Sequence, residues 1–503
     1  MNTNPIDEKE VGDVVHEEHY KASTLANSHV VQQKSPSEKR LLLKADFLIL
    51  PLAAFGYFAA YMDRNNFGNA KIMGFTTDLG LSPDEYYSCL TIFYVGYMVF
   101  MLPVNLSLRK LKANRSIGIA VVLFGVVMCC LSVAKSFSAV MGLRFLLGAG
   151  QSFIQGLTIY TSLWYRRDEL GTRSAIYYSC ATLSGAFGGL IAYGIELNLS
   201  YESSGRYSWS WLFLVEGVIA IGAGLFIVAF LPRMPDDLQR GNSRHWLFTK
   251  EEIDLAAERQ ASYNQTDAKF EPRQLLDAMT DIKTLWFGLI QGANVLGLAV
   301  VGNFLPTFIN GFGFNPIRTQ LFGIIPYACA FVACVTIGII SDRVNSKAPF
   351  LLLTSSLAVL GYTLLLATTS TVVGIFAACL ITASCYTGVV LLPVWIVINT
   401  AGYTKRSCVW ATSEVFAMTF SIMATRIYDN PPRYVKGHSI VLAFNVLAWF
   451  CIVFCALWMR YLNRKKDRIE SEYTERGEVH PHNGGQLTLE DLQDNHISFR
   501  YIV

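Results

Sequence analysis

Between residues 45 and 461 the chain alternates long apolar stretches with short polar ones. Twelve apolar stretches can be drawn, at 45–70, 86–108, 117–134, 139–164, 174–197, 209–231, 285–309, 320–340, 349–367, 371–398, 407–427 and 439–461. Each reaches or approaches the ~20 residues that carry a helix across the hydrocarbon core of a bilayer. Lipid offers a backbone no hydrogen-bond partners, so such segments must close their bonds internally, as helices. The pattern predicts an all-α polytopic membrane protein with twelve transmembrane helices.

The spacing of the stretches also divides the chain. Six precede a polar interval at 232–283 and six follow it, which predicts two six-helix bundles, 44–231 and 284–461, joined by a linker. Inside that linker Thr249-Lys-Glu-Glu252 has the form of a capping box and should start a short surface helix. Residues 1–43 and 462–503 are polar tails, and disorder is expected for the first and, from Pro481 onward with its Gly484-Gly485 and mixed charges, for the second. A site between two bundles that rock against each other is how many carriers are organised.

Composition agrees with a membrane protein: 52% of residues are hydrophobic and 16% charged, against roughly one quarter charged in a soluble domain. The net charge of +3 is small, but its distribution is one-sided. Loops after the second, fourth, sixth, eighth and tenth stretches hold nineteen Lys and Arg, whereas the opposite loops hold Lys71, Lys135, Arg206, Arg318, Arg433 and Lys436. The positive-inside rule then puts both termini in the cytoplasm. Nothing in the charge pattern marks a nucleic-acid partner. The eleven cysteines lie in or beside the spans without ligand spacing and read as small packing residues. No metal site, cofactor, nucleophile elbow or paired His/Asp motif is present, so the chain reads as no enzyme.

A few charges sit where lipid should not tolerate them: Asp63 and Arg64 in the first stretch, Arg144 in the fourth and Glu414 in the eleventh. A charge at bilayer depth is costly and is kept where it faces a polar cavity or a partner. Tyr57, Tyr61, Arg64 and Gly68 share one helical stripe, as do Arg144, Gly148, Gln151 and Gln155. A guanidinium offers a planar fork that grips both oxygens of a carboxylate. Each arginine is therefore open to two roles, binding an anion or bracing the bundle through an acid. Asp63 is open to proton carriage or to a permanent ion pair within its bundle. Glu414 lies on the stripe Trp410, Glu414, Met418, Ser421 and Thr425, and either titrates or pairs with Arg426. On the tenth stretch Gly388, Leu392, Trp395 and Asn399 align. Gln291 and Asn294 offer neutral polar contacts on the seventh. Gly185, Gly188 and Gly189 suit close helix approach.

Several motifs resemble one family. Tyr61-Met-Asp63-Arg64-Asn-Asn66-Phe-Gly-Asn69-Ala-Lys71 resembles the first-helix signature of the anion:cation symporter family of the major facilitator superfamily. Arg144-Phe-Leu-Leu-Gly148, then Leu163-Trp164-Tyr165-Arg-Arg-Asp-Glu169 and Arg173, is similar to its fourth helix and following loop. Trp209-Ser-Trp-Leu-Phe-Leu-Val-Glu216-Gly217 is similar to its sixth-helix start, where Glu216 reads as structural. Asn399-Thr-Ala-Gly402-Tyr-Thr-Lys405-Arg406 and Pro432-Arg433-Tyr434-Val-Lys-Gly437-His438 resemble its fungal, allantoate-permease-like branch. Gly338-Ile-Ile-Ser-Asp342-Arg343 looks like the superfamily's acidic–basic turn; its first-bundle counterpart keeps only the bases Arg109-Lys110.

The resemblance implies uptake of a small carboxylate, such as a ureido acid or vitamin acid, by proton symport, in a monomeric plasma-membrane carrier without a prosthetic group. It implies substrate contacts at Tyr61, Arg64, Tyr97 and Arg144, with Trp395 closing over the substrate; the residues themselves add Asn399, on the Trp395 stripe, as a further contact, and the membrane-depth acids Asp63 and Glu414 as candidates for proton coupling. Two positions depart from the family. Gln151 stands where relatives carry a glutamate linked to proton coupling, and Ala181 replaces a glutamine of bacterial relatives, which weakens the case for sugar acids. An uncoupled facilitator and a transporter-like sensor remain the alternatives.

Overall fold

A computed structural model of the chain describes residues 35–108, 111–166, 169–199, 201, 205–241, 245–261, 272–311, 316–428, 433–477, 480–482 and 492–503. The chain divides into two units, 1–43 and 44–503; the described part of the first is the opening of one helix. Arg109, Lys110 and Gly484-Gly485 lie outside the described residues, as does the first tail up to residue 34.

The described residues form sixteen α-helices, one 3-10 helix at Gln493–Asn495 and no strand. The first set comprises α1 (Pro36–Ile72), α2 (Phe75–Asp78), α3 (Pro83–Ser107), α4 (Ala113–Leu131), α5 (Phe137–Trp164), α6 (Leu170–Asn198) and α7 (Ser208–Phe230). The linker gives α8 (Pro235–Arg240), α9 (Lys250–Ala261) and α10 (Pro272–Thr280). The second set is α11 (Ile282–Gly311), α12 (Pro316–Arg343), α13 (Ala348–Ala367), α14 (Thr371–Ile398), α15 (Tyr403–Ile427) and α16 (Val435–Glu475). Twelve of these are long and apolar enough to cross a membrane. Within the sets α4 packs on α7, α3 on α5, α11 on α15 and α13 on α14; between them α6 runs along α12 and α3 along α15.

Local chemistry accounts for several boundaries. Helix α3 begins ahead of its apolar stretch because Ser82 and Glu85 cap each other's backbone N–H groups. The predicted box at Thr249 and Glu252 forms in the same way and starts α9. Linker and first bundle are then tied by ion pairs: Lys44 to Glu252 at 2.7 Å and Arg259 to Glu169 at 2.8 Å. Arg173, from the loop motif, meets Asp46 at 2.7 Å. Glycines sit where helices touch: a Cβ on Gly148 would strike the Phe93 carbonyl, and one on Gly185 the Tyr327 ring.

The last helix and the end of the chain differ from expectation. Helix α16 continues past the apolar stretch to Glu475. Leu492–Val503, expected to be disordered, is packed: Ile497, Phe499 and Tyr501 are buried, and Asp494 is 1% exposed. The physical reason is polar pairing that composition cannot reveal. Asp494 is gripped by the ammonium groups of Lys283 and Lys405, and Lys466 donates to the carbonyls of Asp494, His496 and Phe499. Burial alone would raise the Asp494 carboxyl, but the two lysines outweigh it and hold it below the usual carboxylate range.

Candidate functional site

Arg64 and Arg144 share a bundle and a neighbour yet have opposite surroundings. One turn beyond Arg144, Gly148 lets α5 close onto the α3 backbone. That approach brings the Arg144 guanidinium over Phe67, 4.0 Å from the ring centroid, and over Phe93 at 4.8 Å. Its Nη1 donates to both Asp63 oxygens, at 3.0 and 3.1 Å, and Nε to the Cys89 carbonyl at 3.5 Å. The pair is sealed, with side-chain exposures of 2% and 1%. Asp63 and Arg64 are adjacent in sequence but about 100° apart around the helix, so Asp63 turns into the bundle and Arg64 out of it.

Arg64 has no carboxylate partner among the described residues. Its Nε donates to Gln151 Oε1 at 3.1 Å, and Gln151 in turn donates to the Ala60 carbonyl at 3.3 Å. Three rings surround the cation: Tyr61 at 5.1 Å, Tyr97 at 5.4 Å and Phe93 at 5.5 Å. One terminal nitrogen, Nη2, is buried without a hydrogen-bond partner. A buried donor left unmade costs about 1–3 kcal/mol, and more when charged.

Arg64 faces a small cavity between the two bundles. Tyr61, Asn65 and Tyr94 line it from the first bundle; Val295, Leu298, Ala299, Gly302, Asn303, Tyr386 and Ser421 line it from the second. A second small cavity, bordered by Asn65, Asn69, Gly185 and Tyr327, adjoins it at Asn65. Between the bundles, α1 and α11 approach at glycines, with Gly68 against the Asn303 carbonyl and Gly302 against the Asn65 amide. At the end of α12, Asp342 accepts from Lys347 and from the Thr172 N–H at the start of α6.

Glu414 reaches across the interface. It accepts from Tyr97 at 3.0 Å and from Gln291 at 2.6 Å, so one buried acid joins α3, α11 and α15. Arg426, the partner that the sequence offered as one alternative for Glu414, instead meets Asp84 at 3.3 Å on an exposed surface. Asn294 packs its amide over Gly388. Glu216 takes a bond from Asn66, which also accepts from Asn69 at 2.6 Å.

Trp395 and Asn399 are not brought to this cavity. Trp395 lies nine residues beyond Tyr386 on α14, about 13 Å further along at 1.5 Å per residue. Its indole N–H donates to the Ile502 carbonyl at 2.9 Å, and the Asn399 amide bonds the same residue's C=O and N–H. The stripe failed as a guide because every described residue of α14 from Ile381 to Ile398 is buried, so no polar face distinguishes one side. Asn65, Tyr94, Asn303 and Tyr386 were missed. For Asn65 the signal was its place beside Arg64; for Tyr386 the sequence carried none.

Known proteins place this geometry. The Major Facilitator Superfamily profile matches residues 53–407. The high-affinity nicotinic acid transporter of Saccharomyces cerevisiae is 30% identical over 493 residues, covering 96% of this chain and 88% of that protein. The major facilitator-type transporter hxnP of Emericella nidulans is 27% identical over 458 residues, covering 88% of this chain and 90% of that one. Among solved structures, the proton:xylose symporter XylE bound to 6-bromo-6-deoxy-D-glucose superposes with a TM-score of 0.67 at 15% identity, over 80% of this chain and 94% of its own.

Proposed function

The chain belongs to the Major Facilitator Superfamily, and from that premise we propose that it carries a small organic anion, a monocarboxylate, by proton symport with alternating access. The observation that supports this most is Arg64: a cation at the wall of an inter-bundle cavity, ringed by aromatics, with a buried donor unmatched and no ion pair to an acid among the described residues. A carboxylate would supply the missing acceptor and the missing charge together. Tyr61, Asn65, Tyr94 and Asn303 would then contact the rest of the substrate, and Tyr97 would act through Glu414. That a relative is named for nicotinic acid, a small carboxylate, fits this class. The anion:cation symporter family is the branch we assign.

Coupling is assigned to the buried acids. Asp63 held by Arg144 and Glu414 held by Tyr97 and Gln291 are the carboxylates poised to gain and lose a proton as the bundles rearrange. In this reading Arg144 acts through Asp63 rather than on the substrate. A second reading, an uncoupled facilitator, draws on Gln151, which touches Arg64 and cannot ionise. Uptake of a panel of labelled carboxylates by intact cells at two external pH values decides between them. Accumulation that steepens at acid pH is expected for symport, and pH-independent equilibration for the facilitator. Transport confined to neutral compounds would overturn the anion assignment.

A further inference from the structure

We propose that the second bundle carries, on the side where α16 ends, a built binding site for a short peptide that enters as a 3-10 turn at Gln493–Asn495 and leaves without helical structure from Phe499. Residues 492–503 occupy it, and their docking holds the turn 341–347 in its gate-closing form. The inference rests on the alternating-access reading above, but not on the identity of the substrate.

Three features make this a site rather than incidental packing. The first is an ionic anchor, in which Asp494 sits between Lys283 of α11 and Lys405 of α15, both also near Asp281 at 3.3 and 3.2 Å. The second is an amide clamp eight residues later: Asn399 accepts from the Ile502 N–H at 2.7 Å and donates to its carbonyl at 2.9 Å, while Trp395 donates to the same oxygen. Such pairing reads backbone, as an added strand would. The third is the Lys466 ammonium on α16, which gathers three tail carbonyls within 2.6–3.0 Å. Asn463 adds bonds to both backbone groups of Tyr501.

These partners lie on or beside α11, α14, α15 and α16, and Gln493 also bonds Asp277 of α10, so these contacts of the tail do not reach the first bundle. Its link to the gate is through Ser346, which donates to the Val503 carbonyl. Ser346 also bonds the Ser341 carbonyl at 3.2 Å, and Lys347 bonds the Ser341 hydroxyl at 3.1 Å. The turn passes through Asn345 at a φ of 51°, a left-handed conformation that relaxes readily when its supports are lost. On the same turn Asp342 holds Lys347 and the Thr172 N–H of the first bundle. Docking thus fixes the piece of backbone whose carboxylate joins the bundles. Undocking loosens it without unfolding either bundle.

The test uses a Thr172→Cys variant of the full chain in vesicles and a membrane-impermeant thiol reagent on the tail side, with labelling at that position read by peptide mapping. Removing 492–503, or Asp494→Lys in the full chain, should raise the labelling rate about tenfold, the scale of one lost charge-assisted hydrogen bond. A synthetic peptide of residues 492–503 should restore protection to the truncated protein, and the same peptide with lysine in place of its aspartate should not. Restoration also shows that the truncated protein is folded. Should the truncated chain not reach the membrane, Asp494→Lys alone carries the comparison. Equal labelling in the intact and altered chains, or no response to the peptide, overturns the proposal. A failed carboxylate uptake with altered labelling would sink the substrate assignment and leave the latch standing.

Discussion

Two arginines in one bundle, both within reach of Phe93, show how the same side chain is used in opposite ways. Arg144 is neutralised by a bidentate acid and sealed from solvent, so its charge serves the protein. Arg64 is held by a neutral amide and three rings, so its charge is left for something else. The difference teaches that what makes a membrane-depth charge available is the absence of a fixed counter-charge, not its depth.

The largest effect should come from breaking the sealed pair. Arg144→Ala leaves Asp63 buried and alone, which costs about 3–5 kcal/mol. Surface expression and the melting midpoint in detergent should collapse, and Asp63→Asn in the same chain should restore much of both. An Arg144→Ala protein that is stable but fails to bind substrate would erase the contrast.

Next comes Arg64→Ala, expected to leave expression and melting close to wild type while lowering uptake at least about a hundredfold, as one lost charged contact of about 3 kcal/mol requires. Arg64→Lys should recover little of it, because a point charge cannot reproduce the fork. Normal transport by Arg64→Ala would remove the anion assignment.

A smaller effect tests the contrast from the other side. Gln151→Glu would place an acid on Arg64 and turn it into a second paired arginine. Substrate affinity should fall about tenfold near neutral pH and recover as the medium is acidified and the new carboxylate protonates. Counterflow measured at two pH values checks this. For coupling, Glu414→Gln in the intact chain, and Asp63→Asn combined with Arg144→Ala so that no buried charge is left unpaired, should each reduce pH-driven accumulation while allowing exchange, since exchange needs only binding and rocking. Wild-type pH-driven accumulation in both would show that neither acid carries the coupling.

The smallest effect expected is on the tail. Asp494 titrates lower in its docked state than when free. Its contribution to docking is therefore fully present above the free carboxyl's pKa of about 3.9 and is lost only as pH falls below it. Between pH 5.5 and 7.5 the ratio of labelling at residue 172 in the Asp494→Lys chain to that in the intact chain, which cancels the thiol's own ionisation, should be unchanged, and a steep change in that ratio would refute the ionic anchor.

Which of this was legible in the chain follows from the physics of each feature. Twelve spans, a six-plus-six division and the Thr249 cap are local: they depend on runs of apolar residues and on spacings of three or four, which sequence displays directly. That Asp63 and Arg64 face different ways was also legible, from helical geometry alone. Which arginine has a partner was not, because Asp63 and Arg144 lie 81 positions apart and only the fit of α5 against α3 joins them. Tyr386, Trp395 and Asn399 were misread or missed for the same reason: on a helix buried on every side, composition does not say which face meets a cavity. The tail was the widest departure. Its order comes from lysines on three distant helices, so a segment whose own composition favours disorder is held by charges that only the assembled second bundle brings together.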